Sequence, residues 1–219
     1  MKVLIGALSA SVLFHVGQTN KCKCGIANES GNRIVGGSVS EPHRYPWHVG
    51  VGGPGGWCGG SLISARHVLT AAHCVTKGHA GTSVTVGAWD LHGTSRGQKI
   101  PVQSVKRHEG YDLHGWDDIA VLELSTSVSF NKKVRPVCLP IENNPVDYNN
   151  KKTILTGWGH GSGSKLNEAD LYVIRNKECN FGKRNGGNEL ICTRPSKNKK
   201  GACFGDSGGP LFVKQKHNR

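Results

Sequence analysis

The sequence predicts an all-β protein, an antiparallel sandwich or barrel. Short β-rich runs recur along the chain, turn residues sit between them, and no long stretch carries a helical period. The runs are residues 83–89 (SVTVGAW), 99–105 (KIPVQSV), 119–124 (IAVLEL), 153–156 (TILT) and 171–174 (LYVI). Clusters of Gly, Pro, Asn and Asp punctuate them. One helical turn within residues 65–74 is the exception, and the Pro- and Asn-rich stretch 136–150 reads as a connector between two halves.

Composition narrows the class. The chain has 219 residues, of which 36% are hydrophobic, enough to bury a core and to exclude wholesale disorder. The 31 glycines follow no G-X-Y period, which excludes collagen. The only long apolar run is residues 3–16, behind Met1 and Lys2. It is too short to span a bilayer and reads as the core of a signal peptide, residues 1–19, cleaved among Gly17, Gln18 and Thr19. A multi-span membrane protein is excluded. An export signal beside 8 cysteines predicts a secreted, extracellular protein with disulfides.

Charge is strongly positive. The formal net charge is +13, and residues 34–219 hold +10 of it. Such a surface attracts anionic polysaccharide, anionic membranes or nucleic acid without specificity. The clusters at 132–133, 151–152 and 197–200 read as solvated loops, and no nucleic-acid motif or aromatic interleaving accompanies them.

Three blocks carry chemistry. Gly205-Asp206-Ser207-Gly208-Gly209-Pro210 puts a serine on a tight, glycine-flanked turn, where backbone N–H groups can point at an incoming carbonyl. A serine hydroxyl is a weak nucleophile and needs a base. Leu69-Thr70-Ala71-Ala72-His73-Cys74 offers an imidazole beside a cysteine that a disulfide could pin. Asp117-Asp118-Ile119-Ala120-Val121-Leu122 places an acid at the mouth of an apolar strand, where it needs a partner such as an imidazole N–H. Taken singly, each is ordinary: a structural histidine, a turn aspartate, a loop serine.

Together, and in the order His, Asp, Ser, the blocks resemble the chymotrypsin/trypsin family of secreted serine proteases. The likeness runs from about Arg33 to Val213 and includes Arg33-Ile34-Val35-Gly36-Gly37, Trp57-Cys58-Gly59-Gly60-Ser61-Leu62-Ile63 and Thr156-Gly157-Trp158-Gly159. It implies two antiparallel six-stranded β-barrels of the chymotrypsin type, the second incomplete in this chain. It also implies Ser207 as nucleophile, His73 as general acid and base, and Asp118 as the carboxylate that orients His73. Asp117 competes for that last role, but Asp118 directly precedes Ile119, as the family pattern has it. The N–H groups of Gly205 and Ser207 would form the oxyanion hole.

The same resemblance implies a zymogen. Cleavage at Arg33-Ile34, by a protease cutting after basic residues, would free an ammonium on Ile34 that pairs with Asp206. Residues 20–33 would be the propeptide and 34–219 the protease domain, with its C-terminus missing. The implied disulfides are Cys58–Cys74, Cys179–Cys192 and Cys24–Cys138, the last tethering the propeptide. Cys22 has no assigned partner, and the family partner of Cys203 falls beyond residue 219. Gly201, six residues before Ser207, stands where trypsin-like members carry an aspartate. A substrate cation there would be unpaired, so apolar side chains are favoured, as in chymotrypsin or elastase.

No metal or other cofactor is implied. Ala88 replaces the glutamate of the family's calcium loop, and the 11 histidines include no HExxH spacing. The implied partners are protein or peptide substrates, the activating protease, protein protease inhibitors and anionic polysaccharide. Asn28-Glu29-Ser30 is the one glycosylation sequon. The alternative reading is a truncated, catalytically inactive cationic binding protein on the same scaffold.

Overall fold

The computed structural model describes residues 23–28, 38–112, 117–140, 147–161, 163–175, 178, 191–195 and 201–214. Eleven strands and one short 3-10 turn make up the regular structure among them. The strands are β1 (Ser38–Val39), β2 (His48–Gly53), β3 (Gly56–Leu62), β4 (His67–Thr70), β5 (Ser83–Val86) and β6 (Gln98–Arg107). They continue with β7 (Ala120–Leu124), β8 (Lys152–Gly157), β9 (Asn167–Ile174), β10 (Cys192–Pro195) and β11 (Leu211–Val213). The expected helical turn is the 3-10 turn Ala72–Val75. The run at 83–89 stops at Val86, because Gly87 turns the chain with φ +67°.

Strands β2, β3, β4, β7, β6 and β5 close a barrel in that order. Its lining follows the period of two that strands impose. In β7, Ala120, Leu122 and Leu124 point inward, while Val121 and Glu123 alternate with them. Val49, Val51, Leu62, Val68, Val84, Val86 and Ile100 fill the same interior. Strands β2 and β3 pair from His48–Ser61 to Gly53–Gly56, and their glycines make room for neighbouring groups. The indole of Trp57 lies over Gly50, where a methyl would collide with it, and close to Gly52.

A second sheet of five strands is built on β9, which pairs with β1, β8 and β10, while β11 extends β8. A separate aromatic cluster lies against it. Trp47 meets Phe212 edge-on at 5.2 Å, and Tyr45 stands 5.1 Å from the same ring. All pairings in both sheets are antiparallel.

The two halves are sewn together at Trp89. Its carbonyl accepts the N–H of Leu166 at 2.7 Å and the indole N–H of Trp158 at 3.2 Å. Its own indole N–H donates to the carbonyl of Ser40 at 2.8 Å. Leu91 N–H donates to Ser164 O at 2.9 Å. These bonds fix the sheet against the barrel, and the site lies where the two meet. Among the described residues, no helix is long and apolar enough to cross a membrane.

Candidate active site

His73 sits in the 3-10 turn, and its neighbour Cys74 is bonded to Cys58 of β3. The disulfide pins the turn to the barrel wall. Asp118 stands two residues before β7, just after Asp117, which takes φ +50°. That turn aims the two acids apart. Asp118 Oδ1 accepts the backbone N–H of His73 at 2.8 Å, and Oδ2 lies 2.6 Å from His73 Nδ1. Asp117 instead faces His108, at 3.7 Å. Two contacts on one carboxylate fix both the place and the tautomer of the ring: Nδ1 carries the proton and Nε2 stays free to accept one.

Ser207 approaches from the other half. Its carbonyl accepts the N–H of Gly59 in β3 at 2.8 Å. Gly208, at φ +74°, lies where a Cβ would stand 2.8 Å from both Ala71 N and Gly59 O. Gly59 leaves the same clearance, since a Cβ there would stand 2.8 Å from Gly209 Cα. Thr70 Oγ1 donates to Gly59 O at 2.8 Å, which locks the seam beside the 3-10 turn. Among the described residues, no hydrogen bond joins the Ser207 hydroxyl to the imidazole, and none uses the N–H of Gly205 or Ser207. Those two N–H groups are therefore free to receive an anionic oxygen.

Asp206 is turned the other way. Its carboxylate accepts Gly159 N–H at 2.7 Å and Cys203 N–H at 2.9 Å. Gly157 and Gly159 lack the Cβ that would overlap that carboxylate. Arg33 and Ile34 lie outside the described residues, as does Cys179. Cys192 is disulfide-bonded. Cys24 is bonded to Cys138. Gly201 is exposed, and a Cβ there would meet nothing within 4 Å. Cys203 is a free, exposed thiol.

Sequence reasoning did not single out His48. It is 1% exposed, and its ring stands edge-on to Trp158 at 4.8 Å. Nδ1 lies 2.8 Å from Thr156 Oγ1, and Nε2 has no partner. Burial pushes its pKa down to about 3, so it is neutral. The ring abuts Gly59 and Gly209, so it props the strand and loop that dock Ser207.

Cys58, His73 and Cys74 form a cluster of metal-ligand types, but both sulfurs are spent in a disulfide and offer no thiolate. In the loop after Ala88, Asp90 accepts N–H bonds from Gly93 at 2.9 Å and His92 at 3.1 Å. A hydrogen bond from Ser164, followed by these backbone bonds and the nearby Lys165, holds its pKa below the usual carboxylate value.

Comparison with known proteins accords with this geometry. The trypsin family model matches residues 34–218. The clotting factor G beta subunit of Tachypleus tridentatus is 39% identical over 82% of this chain and 65% of its own length. A venom protease of Bombus pensylvanicus is 35% identical, covering 83% of each protein. The human heparin binding protein superposes with a TM-score of 0.71 and 27% identity, over 83% of this chain and 81% of that one. The chain spans less than two thirds of the clotting factor's length. With a six-stranded barrel, a serine loop docked on it and a family match along most of its length, the chain belongs to the trypsin family.

Proposed function

We propose that this chain is a secreted serine endopeptidase, made as a zymogen and activated by cleavage at Arg33-Ile34. The observation that carries the reading is the two-point grip of Asp118 on His73, beside a serine loop whose Gly205 and Ser207 N–H groups are free. Ser207 Oγ attacks the scissile carbonyl while His73 Nε2 takes its proton. The two N–H groups receive the oxyanion, and Asp118 stabilises the imidazolium. His73 then gives the proton to the leaving amine, and water repeats the sequence to release the acyl group. The freed ammonium of Ile34 pairs with Asp206 and orders the oxyanion hole.

Gly201 removes the carboxylate that a substrate cation would need, which supports cleavage after apolar residues. Protein substrates, an activator that cuts after Arg33 and protein inhibitors of serine proteases are the partners this chemistry implies. The test is labelling by a fluorophosphonate probe after cleavage at Arg33. Labelling should vanish in Ser207→Ala and stay low in Arg33→Gln. Labelling of Ser207→Ala at the wild-type rate overturns the nucleophile assignment, and full peptidase activity in Arg33→Gln overturns the zymogen. A peptide panel decides specificity: faster cleavage after Arg or Lys removes the apolar pocket.

A second reading is favoured by the net charge of +13 and by the likeness to a heparin binding protein. In it the chain binds anionic polysaccharide without cleaving anything. Retention on a heparin column together with no probe labelling would select it.

A further inference from the structure

We propose that the surface around the Cys24–Cys138 disulfide docks the protein on an anionic phospholipid bilayer. Ile26, Phe130 and Leu139 enter the interface, and the lysines beside them meet the headgroups. Docking here does not depend on whether the chain cuts peptide bonds. Among the described residues, nine large hydrophobic side chains are exposed. Three of them gather at this one place: Ile26 at 38%, Phe130 at 48% and Leu139 at 51%. Single exposed apolar side chains are ordinary, whereas a grouped set marks a surface that a partner covers.

Two segments far apart in the chain are laced together here. Cys24 is bonded to Cys138, and Gly25 N–H donates to Pro136 O at 2.8 Å. Asn28 Nδ2 donates to Lys132 O at 2.6 Å. Asn131 and Val134 form an antiparallel bridge that turns the chain just after Phe130. Ile26 sits between the anchors at Gly25 and Asn28, Leu139 follows Cys138, and Phe130 lies two residues before Lys132. A held backbone therefore brings three exposed apolar side chains into one neighbourhood.

Charge says what kind of partner fits. Residues 23–28 and 125–140 hold Lys23, Lys132, Lys133 and Arg135, and no acid. The three lysines are exposed. On the barrel, exposed bases meet acids: Lys106 Nζ lies 3.7 Å from Glu109, and Arg66 lies 3.2 Å from Glu123. Among the described residues, Lys23, Lys132 and Lys133 have no such partner. A sulfated sugar chain would satisfy the lysines and leave the apolar side chains in water. A bilayer with anionic headgroups satisfies both, because lysines reach up to the headgroups while apolar side chains settle at the acyl boundary.

The surface is composite. Lys23 and Ile26 come from the segment before Arg33, and Phe130, Lys132, Lys133 and Leu139 from the segment after the barrel. The Cys24–Cys138 bond keeps the two together when the chain is cut after Arg33. Cut and uncut protein should therefore dock alike.

Flotation of the secreted protein with phosphatidylcholine vesicles, with and without a quarter of phosphatidylserine, tests this at about 0.1 M salt. Binding should be at least about tenfold stronger with phosphatidylserine. Phe130→Ser with Leu139→Ser should weaken it about tenfold, and Lys132→Gln with Lys133→Gln about thirtyfold. Lys106→Gln with Arg107→Gln removes the same charge elsewhere. These two end β6 away from Gln98, whose partner Val86 precedes the Gly87 that abuts Lys133. That pair should change binding by less than about threefold. All the altered side chains are exposed, so urea midpoints should stay at the wild-type value, which separates lost docking from lost folding. No binding to phosphatidylserine vesicles overturns the site. Equal losses from the two basic pairs mean diffuse attraction and overturn it as well. Undiminished binding in the double serine variant, with heparin displacing the protein, gives the surface to anionic polysaccharide instead.

Discussion

The carbonyl of Ser207 accepts the N–H of Gly59 at 2.8 Å, and this bond ties the serine loop to a strand of the closed barrel. The His73–Asp118 pair belongs to that barrel, and Ser207 to the other half of the molecule. What sets their separation is the close approach of glycine backbones. Reaction rate is steep in such distances, and a shift of about 1 Å can cost about a hundredfold.

Gly208→Ala tests that dependence. The added methyl would stand 2.8 Å from Ala71 N and Gly59 O, at a φ of +74° that alanine disfavours. The rate of fluorophosphonate labelling at Ser207 should fall by about a hundredfold. Labelling at the wild-type rate would show that the loop can dock without the glycine.

Asp118→Asn and Asp117→Asn should separate the two acids. An amide at 118 can no longer hold the proton on Nδ1 of His73, and kcat should fall by about 10⁴-fold. The Asp117 carboxylate faces His108 at 3.7 Å on the exposed side, so its amide should leave kcat close to wild type. A larger loss at 117 than at 118 would reverse the assignment.

His48 predicts a pH dependence of stability. Its folded pKa is about 3 against an ordinary 6.5, so the unfolded chain binds the proton first. The stabilisation is complete above pH 6.5 and drains away as pH falls toward 3, by on the order of 5 kcal/mol in all. Urea unfolding of wild type and His48→Gln between pH 4 and 7 measures it. The difference in stability between the two should narrow as pH falls. A constant difference would mean that His48 takes up its proton equally in both states.

Asn28 acts as a clasp for the segment carrying Cys24. Its Nδ2 lies 2.6 Å from both His43 O and Lys132 O, and that nitrogen is the atom a glycan would occupy. Asn28→Ala should therefore cost about 1–3 kcal/mol of stability. Ser30→Ala destroys the same sequon while keeping the Asn28 side chain, and should cost less stability than Asn28→Ala. Mass spectrometry of the secreted protein should find Asn28 unmodified, and a glycan there on folded protein would contradict the clasp.

The candidate site residues stand out in the sequence because their types are rare in combination. A serine among glycines, an imidazole before a cysteine and an acid before an apolar strand each break local composition. The strands of the barrel with a period of two, such as β7, were legible for the same reason. Strands β2 and β3 were opaque, since Gly50, Gly52, Gly53, Gly56, Gly59 and Gly60 dilute their β signal. Two of them are explained only by a group far along the chain, Thr82 against Gly53 and Gly209 against Gly59. The burial of His48 had no local signal, because the ring is enclosed by Thr156 and Trp158 from the second half.

Strand β1 has a consequence for how the chain is made. It precedes every other described strand, yet its partner is β9, with Ser38 opposite Glu168. The six strands of the barrel lie between them, contiguous from His48 to Leu124. On the ribosome the barrel can close by itself, while β1 waits for more than a hundred residues with its edge unpaired. Pairing it closes a loop of more than a hundred residues onto a sheet that did not yet exist when β1 emerged, and such non-local closure is slower than the hairpin pairings within the barrel.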